Sequence, residues 1–320
     1  MTTGILSLRN ISLERLAAFT AAGYRVREGA KSPSREEAIR EAGDSVKGVL
    51  TNGRGGLSAA EIQLLPKLEI ICTVGAGYEA VDLTEAAKRG IAVANSPGTN
   101  ATGVADSAMA LLLAAVRHLR AADRHVHAGL WQDQWRVDTQ IIFGKRLGLL
   151  GLGHIGGRIA HRAARGFDME VGYFTRNAVA GAPYRHFSTL IEMAQWADFL
   201  IAATPGGAGT RHLINAEVLA ALGPQGYVVN VGRGTVVDTA ALLAALREKR
   251  IAGAGLDVLE GEPSLPPALP ELLAMDNVVI TPHCAARAPE SQIAATELLL
   301  ANLNAHFAGK PLLTPVRVKG

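Results

Sequence analysis

Residues 146–167 read RLGLLGLGHIGGRIAHRAARGF. An apolar run, a glycine-rich turn and an amphipathic run follow one another without a break. RLGLL predicts a strand, GLGHIGG (151–157) a tight turn, and RIAHRAARGF a helix. A lone G-x-G-x-x-G is weak evidence, but a strand before it and a helix after it is the setting in which it binds a dinucleotide. Gly151 permits the turn, Gly153 lets a pyrophosphate approach the backbone, and Gly156 lets helix and strand pack closely. The helix N-terminus, around His154 and Ile155, adds N–H donors and the positive end of a dipole.

Working outward, short β-rich runs alternate with helical stretches almost throughout. Before the turn the runs are 4–8, 24–28, 46–52, 68–74 and 91–96; from the turn onward they are 146–151, 170–175, 198–204, 227–232, 252–258 and 277–282. Helices are predicted between them, with one long helix over 99–129 and a last one over about 289–308. This alternation predicts an α/β protein. The fold class is two Rossmann-like, doubly wound parallel-sheet domains with a cleft between them. Residues 1–97 and 287–320 form the substrate-binding domain and 98–286 the dinucleotide-binding domain. The short tail KPLLTPVRV is expected to pack back on the first of these.

Composition agrees with a globular chain with a large core: 48% of the 320 residues are hydrophobic and 19% charged. A formal charge of +3 is too mild to argue for nucleic acid or an anionic membrane surface. No basic, apolar leader opens the chain, and its longest apolar stretch, Ala108 to Val116, is far short of the ~20 residues that span a bilayer. Cys72 and Cys284 sit in apolar segments and read as buried reduced thiols of a cytoplasmic protein. No metal site is expected.

The strand after the glycine turn names the coenzyme. In NAD-binding units it ends in an acid that grips the ribose hydroxyls. Here EVGYFTRN (170–177) ends in Thr175, 24 residues after Gly151, followed by Arg176 and Asn177. An acid there would repel the 2′-phosphate of NADP, whereas a hydroxyl, a guanidinium and an amide suit it. NADP is the expected cofactor. A second glycine pair, Gly75 and Gly77 in VGAGYEAVD (74–82), lacks the third glycine; it makes a poor pyrophosphate cradle but a good small-anion loop.

Reducing a ketone with hydride needs an acid for the carbonyl oxygen and a cation for an anionic end. His283, in ITPHCAA, lies just past a strand, at the carboxyl end where α/β sites form. Arg233, in VVNVGRGT, and Glu262, in DVLEGEP, also lie just past strands. Three unlike groups at three strand ends of one sheet form the candidate catalytic set. His118, His125, His127, His161 and His306 read as solvated or packing residues.

With VGAGYEAVD, GLGHIGG, ATP followed by TRHLI, VNVGRGTVVD, AGAGLDVLEGEP and TPHCAA, the chain from about Val46 onward resembles the D-isomer-specific 2-hydroxyacid dehydrogenases. Within that family it is similar to the NADPH-dependent glyoxylate/hydroxypyruvate reductases. The resemblance implies that His283 protonates the substrate carbonyl, that Glu262 pairs with His283 and keeps it charged near neutrality, and that Arg233 clamps the substrate carboxylate. It implies substrate contacts at Val74, Gly75, Ala76, Arg233 and His283. It also implies coenzyme contacts at Thr204, Pro205, Val231, Arg233 and His283, with Asp257 on the nicotinamide carboxamide. Many members carry Gly-Ser after the histidine, where this chain has Ala285-Ala286-Arg287. Arg287 leaves a bulkier or more acidic 2-oxoacid, such as 2-ketogluconate or phenylpyruvate, as an alternative substrate.

A dinucleotide-sensing corepressor of the same fold would prefer NAD(H) and carry flexible tails. D-3-phosphoglycerate dehydrogenase would place an acid at 175, and formate dehydrogenase a glutamine at 262. A homodimer is expected, built through 98–145: the helix 99–129 is long and apolar in its early turns, and the loop after it carries Trp131 and Trp135. In some relatives a tryptophan of this loop reaches the partner's active site.

Overall fold

A computed structural model of the chain describes residues 2–131, 135–264 and 266–316. Contacts divide it into two compact units, Met1–Asn100 with Ala288–Gly320, and Ala101–Arg287. The crossings therefore fall at 100/101 and 287/288, against the 97/98 and 286/287 read from sequence.

The first unit holds a five-stranded sheet in the order β2-β1-β3-β4-β5. Its strands are β1 (Thr3–Ser7), β2 (Tyr24–Glu28), β3 (Gly48–Asn52), β4 (Ile70–Val74) and β5 (Ala92–Asn95). All pair in parallel. Strands covered on both faces must be apolar at successive positions, which is how GVLTN and IICTV read. Leu6, Val49 and Ile71 are buried on one face of the sheet. Ile5, Leu50 and Ile70 face the other, under Leu299 and Leu303 of the helix Pro289–Phe307. The tail lies along β5: Val316 N–H donates to Val93 O at 2.8 Å. The buried Asn302 side chain fixes it, accepting from the N–H groups of Leu313 and Thr314 at 3.0 and 3.1 Å.

The second unit holds a seven-stranded sheet in the order β12-β11-β10-β9-β6-β7-β8. Its strands are β6 (Arg146–Leu150), β7 (Glu170–Phe174), β8 (Arg185–Phe187), β9 (Phe199–Ala202), β10 (Tyr227–Asn230), β11 (Gly253–Leu256) and β12 (Val278–Ile280). These also pair in parallel. The chain winds outward from β6 through β7 to β8, then returns to β9 and winds the other way. That reversal puts a switch point between β6 and β9, where such sheets bind ligands beyond the strand carboxyl ends. β8 is absent from the sequence reading; three residues, RHF, are too short to show a period.

The expected single helix over 99–129 is two helices, Ala101–Val116 and Leu119–His127. His118 separates them with φ +49°, a left-handed conformation that no continuous α-helix contains. The apolar turns of the first helix are core: Val104, Ala108, Leu111 and Leu112 are buried against the second sheet. β11 admits this helix because a Cβ on Gly255 would stand only 3.0 Å from Leu111 Cβ. Neither the length nor the apolar character of this segment therefore argues for an arm between subunits.

Among the described residues no helix is long and apolar enough to cross a membrane, and no group of three or more His, Cys, Asp or Glu could hold a metal ion. Cys72 is buried, and burial pushes its thiol up to about 12. Cys284 is only partly buried, short of the fully buried thiol expected.

Candidate functional site

In the second sheet β10, β11 and β12 are neighbours, so the loops leaving their carboxyl ends are neighbours too. Arg233 leaves β10, Asp257 and Glu262 leave β11, and His283 leaves β12. Adjacent parallel strands thus bring together residues separated by up to 50 positions in sequence.

His283 has φ +50°, in the left-handed region. For a non-glycine residue this costs roughly 1–3 kcal/mol, so the surroundings must enforce it. They do so by hydrogen bonds. The His283 N–H donates to Asp257 O at 2.8 Å and Thr281 O at 2.9 Å. The ring is fixed separately: His283 Nδ1 lies 2.7 Å from Glu262 Oε2. Glu262 is itself held, since Oε1 accepts from Leu259 N–H at 2.6 Å. An ionised carboxylate only accepts, so Nδ1 carries the proton in this pair. Nε2 is the other ring nitrogen, and a neutral imidazole protonated at Nδ1 accepts there.

Arg233 sits in a turn with no room for side chains beside it. A Cβ on Gly232 would fall 2.6 Å from Thr204 O, and one on Gly234 2.0 Å from Leu259 O. The glycines thus let the Arg233 turn fit against the loops after β9 and β11. Asn230, buried at the end of β10, shapes the turn from inside. Its Nδ2 donates to Arg233 O at 2.9 Å and its Oδ1 accepts from Gly232 N–H at 3.1 Å. The sequence reading missed Asn230. Its signal is a polar residue closing an otherwise apolar strand, YVVN. His212 Nε2, 2.8 Å from Glu260 Oε1, ties the loop bearing Thr204 and Pro205 to the loop bearing Glu262.

At the switch point the turn after β6 fits a pyrophosphate. Gly151 has φ +100°, and a Cβ on Gly156 would lie 2.1 Å from Gly151 O. A Cβ on Gly153 would meet no atom within 4 Å, so the space above that turn is open. The helix His154–Gly166 starts there, with Ile155 in its first turn and no side chain capping it from Gly153. Its first N–H groups suit an anion. Val231, just past β10, is buried.

At the end of β7, Thr175 Oγ donates to Asn177 O at 2.7 Å, which fixes the turn but leaves the oxygen able only to accept. Arg176 and Asn177 are exposed. Arg176 has no hydrogen-bond or ion-pair partner among the described residues.

In the first unit, Val74 ends β4 and Gly75 follows with φ +90°. The Gly75 N–H is engaged by Ser96 Oγ at 2.6 Å, and Ala76 O accepts from Asn95 Nδ2 at 2.8 Å. Arg287 is exposed just beyond the His283 turn.

The NAD-binding domain of the D-isomer-specific 2-hydroxyacid dehydrogenases matches residues 109–285, more than half of the chain. The chain belongs to this family. As a 2-hydroxyacid dehydrogenase it is 39% identical over 285 residues to a hydroxyphenylpyruvate reductase of Plectranthus scutellarioides, covering 89% of this chain and 90% of that one. It is 40% identical over 280 residues to a 2-ketogluconate reductase of Gluconobacter oxydans, covering 88% and 89%. Its fold is similar to that of an NADPH-dependent glyoxylate/hydroxypyruvate reductase of Sinorhizobium meliloti, solved with NADP and malonate. There the TM-score is 0.84 at 35% identity, over 99% of this chain and 97% of that one. For this 2-hydroxyacid dehydrogenase, relatives with different substrates thus stand at similar distances.

Proposed function

We propose that the protein is an NADPH-dependent reductase of small 2-oxoacids, glyoxylate, hydroxypyruvate or similar, giving D-2-hydroxyacids. The observation that carries this reading is the 2.7 Å contact between His283 Nδ1 and Glu262. It fixes the ring at Nδ1, and this reading assigns Nε2 to the substrate. A bound NADPH supplies hydride to the carbonyl carbon. His283 gives its Nε2 proton to the carbonyl oxygen, and Glu262 stabilises the ring while it is charged. Arg233 binds the carboxylate as a cation held in a fixed turn. The backbone at Val74, Gly75 and Ala76 is assigned to substrate binding as well.

In this reading 98–286 holds the coenzyme and the remainder the substrate. Gly151, Gly153, His154, Ile155 and Gly156 take the pyrophosphate; Thr204, Pro205 and Val231 line the dinucleotide. Thr175, Arg176 and Asn177 take the 2′-phosphate, supported by the absence of an acid at 175. The protein works as a homodimer in the cytoplasm. A bulkier or more acidic 2-oxoacid is the second reading, favoured by the exposed Arg287 just past the His283 turn.

Initial rates with NADPH and NADH over glyoxylate, hydroxypyruvate, pyruvate, phenylpyruvate and 2-ketogluconate test both readings. The highest kcat/KM is expected with NADPH and glyoxylate or hydroxypyruvate. A clear preference for phenylpyruvate or 2-ketogluconate would support the second reading, and no reduction of any of the five would overturn both.

A further inference from the structure

Asp257 is 2% exposed, and the hydrogen bonds to its carboxylate come from one short segment. Thr281 Oγ donates to Oδ1 at 2.6 Å, Cys284 N–H to Oδ1 at 2.9 Å, and Ala285 N–H to Oδ2 at 3.1 Å and to Oδ1 at 3.3 Å. The Asp257 carbonyl takes the His283 N–H. One residue at the end of β11 therefore grips the chain before, at and after His283. A carboxylate oxygen offers about two lone-pair directions. Oδ1 is fully used, and Oδ2 has one direction left. That remaining direction is the one a coenzyme amide could use.

We infer that Asp257 and Thr281 form a latch that positions His283, and that Asp257 acts on the reaction through this turn. This rests on His283 being the proton donor. Thr281 is the informative member, because the carboxylate can only accept and the threonine hydroxyl must donate to it. Losing that donor frees the start of the turn whose left-handed residue carries the imidazole. A displacement of that ring by about 1 Å can cost ~10²-fold in rate. Both members are positioning residues.

Thr281→Val keeps the shape and removes the hydroxyl; Thr281→Ser keeps the hydroxyl. The readouts are kcat for 2-oxoacid reduction and the Kd of NADPH from fluorescence titration. Thr281→Val is expected to lower kcat by ~10-fold or more and leave Kd nearly unchanged, with Thr281→Ser close to wild type. Wild-type kcat in Thr281→Val, or a rise in Kd that accounts for the whole loss, would overturn the latch. A third readout needs neither folded variants nor activity. In the unmutated protein the amide hydrogens of Cys284 and Ala285 should exchange slowly, because both donate to the Asp257 carboxylate. Exchange at the rate of an open loop would also overturn the latch. If the protein reduces no 2-oxoacid while these amides stay protected, the functional reading fails and the latch geometry stands.

Discussion

Thr175 and Arg176 follow β7, at the place where an acid would repel a 2′-phosphate. Arg176 is exposed, so the proposed contact with that phosphate would be screened by solvent; a charge-assisted bond of about 1.4 kcal/mol would still make a tenfold preference. Thr175→Asp with Arg176→Ala should reverse the ratio of kcat/KM for NADPH and NADH. A double variant that keeps the wild-type ratio would remove Arg176 from coenzyme choice. Some of the site was legible at this scale. His283, Glu262 and Arg233 stand out because ionisable groups just past apolar strands have few structural reasons to be there. The work of Asp257, Asn230 and Thr281 was not legible. Each acts through a hydrogen bond whose partner is set by strand adjacency, and a linear sequence does not state adjacency.

Strands and turns were read more securely than helix ends. The apolar runs of parallel strands are local and self-evident, as FLIA and YVVN show. The break at His118 is not local, since nothing in VRHLR marks a left-handed residue, and β8 is too short to carry a pattern. The amino ends of β6 and β9 carry a pH-sensitive tie. Burial raises the Asp198 carboxyl, but hydrogen bonds from the Arg146 side chain and backbone N–H, with the charges of Arg146 and Lys145, outweigh it and hold it below its ordinary value. A depressed carboxyl stabilises the fold above its unfolded-state value of about 3.9, and that stability is lost as pH falls through the folded-state value. Asp198→Asn should therefore lower the Tm at pH 7, with a smaller difference from wild type at pH 3. Equal differences at both pH values would show that the tie contributes nothing through charge.

At the scale of the whole molecule, several exposed apolar side chains fall between 119 and 143, while others, Leu13 and Ile293 among them, lie elsewhere. Trp131 is 68% exposed, Phe143 58% and Ile141 57%. His125 meets the Trp135 ring edge-on at 5.5 Å, and its Nε2 lies 3.2 Å from Trp131 O. Large side chains left in water there fit a covered face, and the homodimer is the proposed cover. Light scattering at micromolar concentration should give about twice the chain mass of 33.5 kDa. A fully active species of single-chain mass would rule the dimer out. The two-unit architecture itself followed from the alternation of strands and helices on either side of GLGHIGG. Substrate choice did not, because it depends on a few side chains whose placement the pattern leaves open. Removal of the His283 imidazole is the most direct measurement of what the protein does. In His283→Ala, kcat for NADPH-dependent 2-oxoacid reduction should fall ~10²–10⁴-fold while the Kd of NADPH stays nearly unchanged. Turnover at the wild-type rate would contradict His283 as the proton donor.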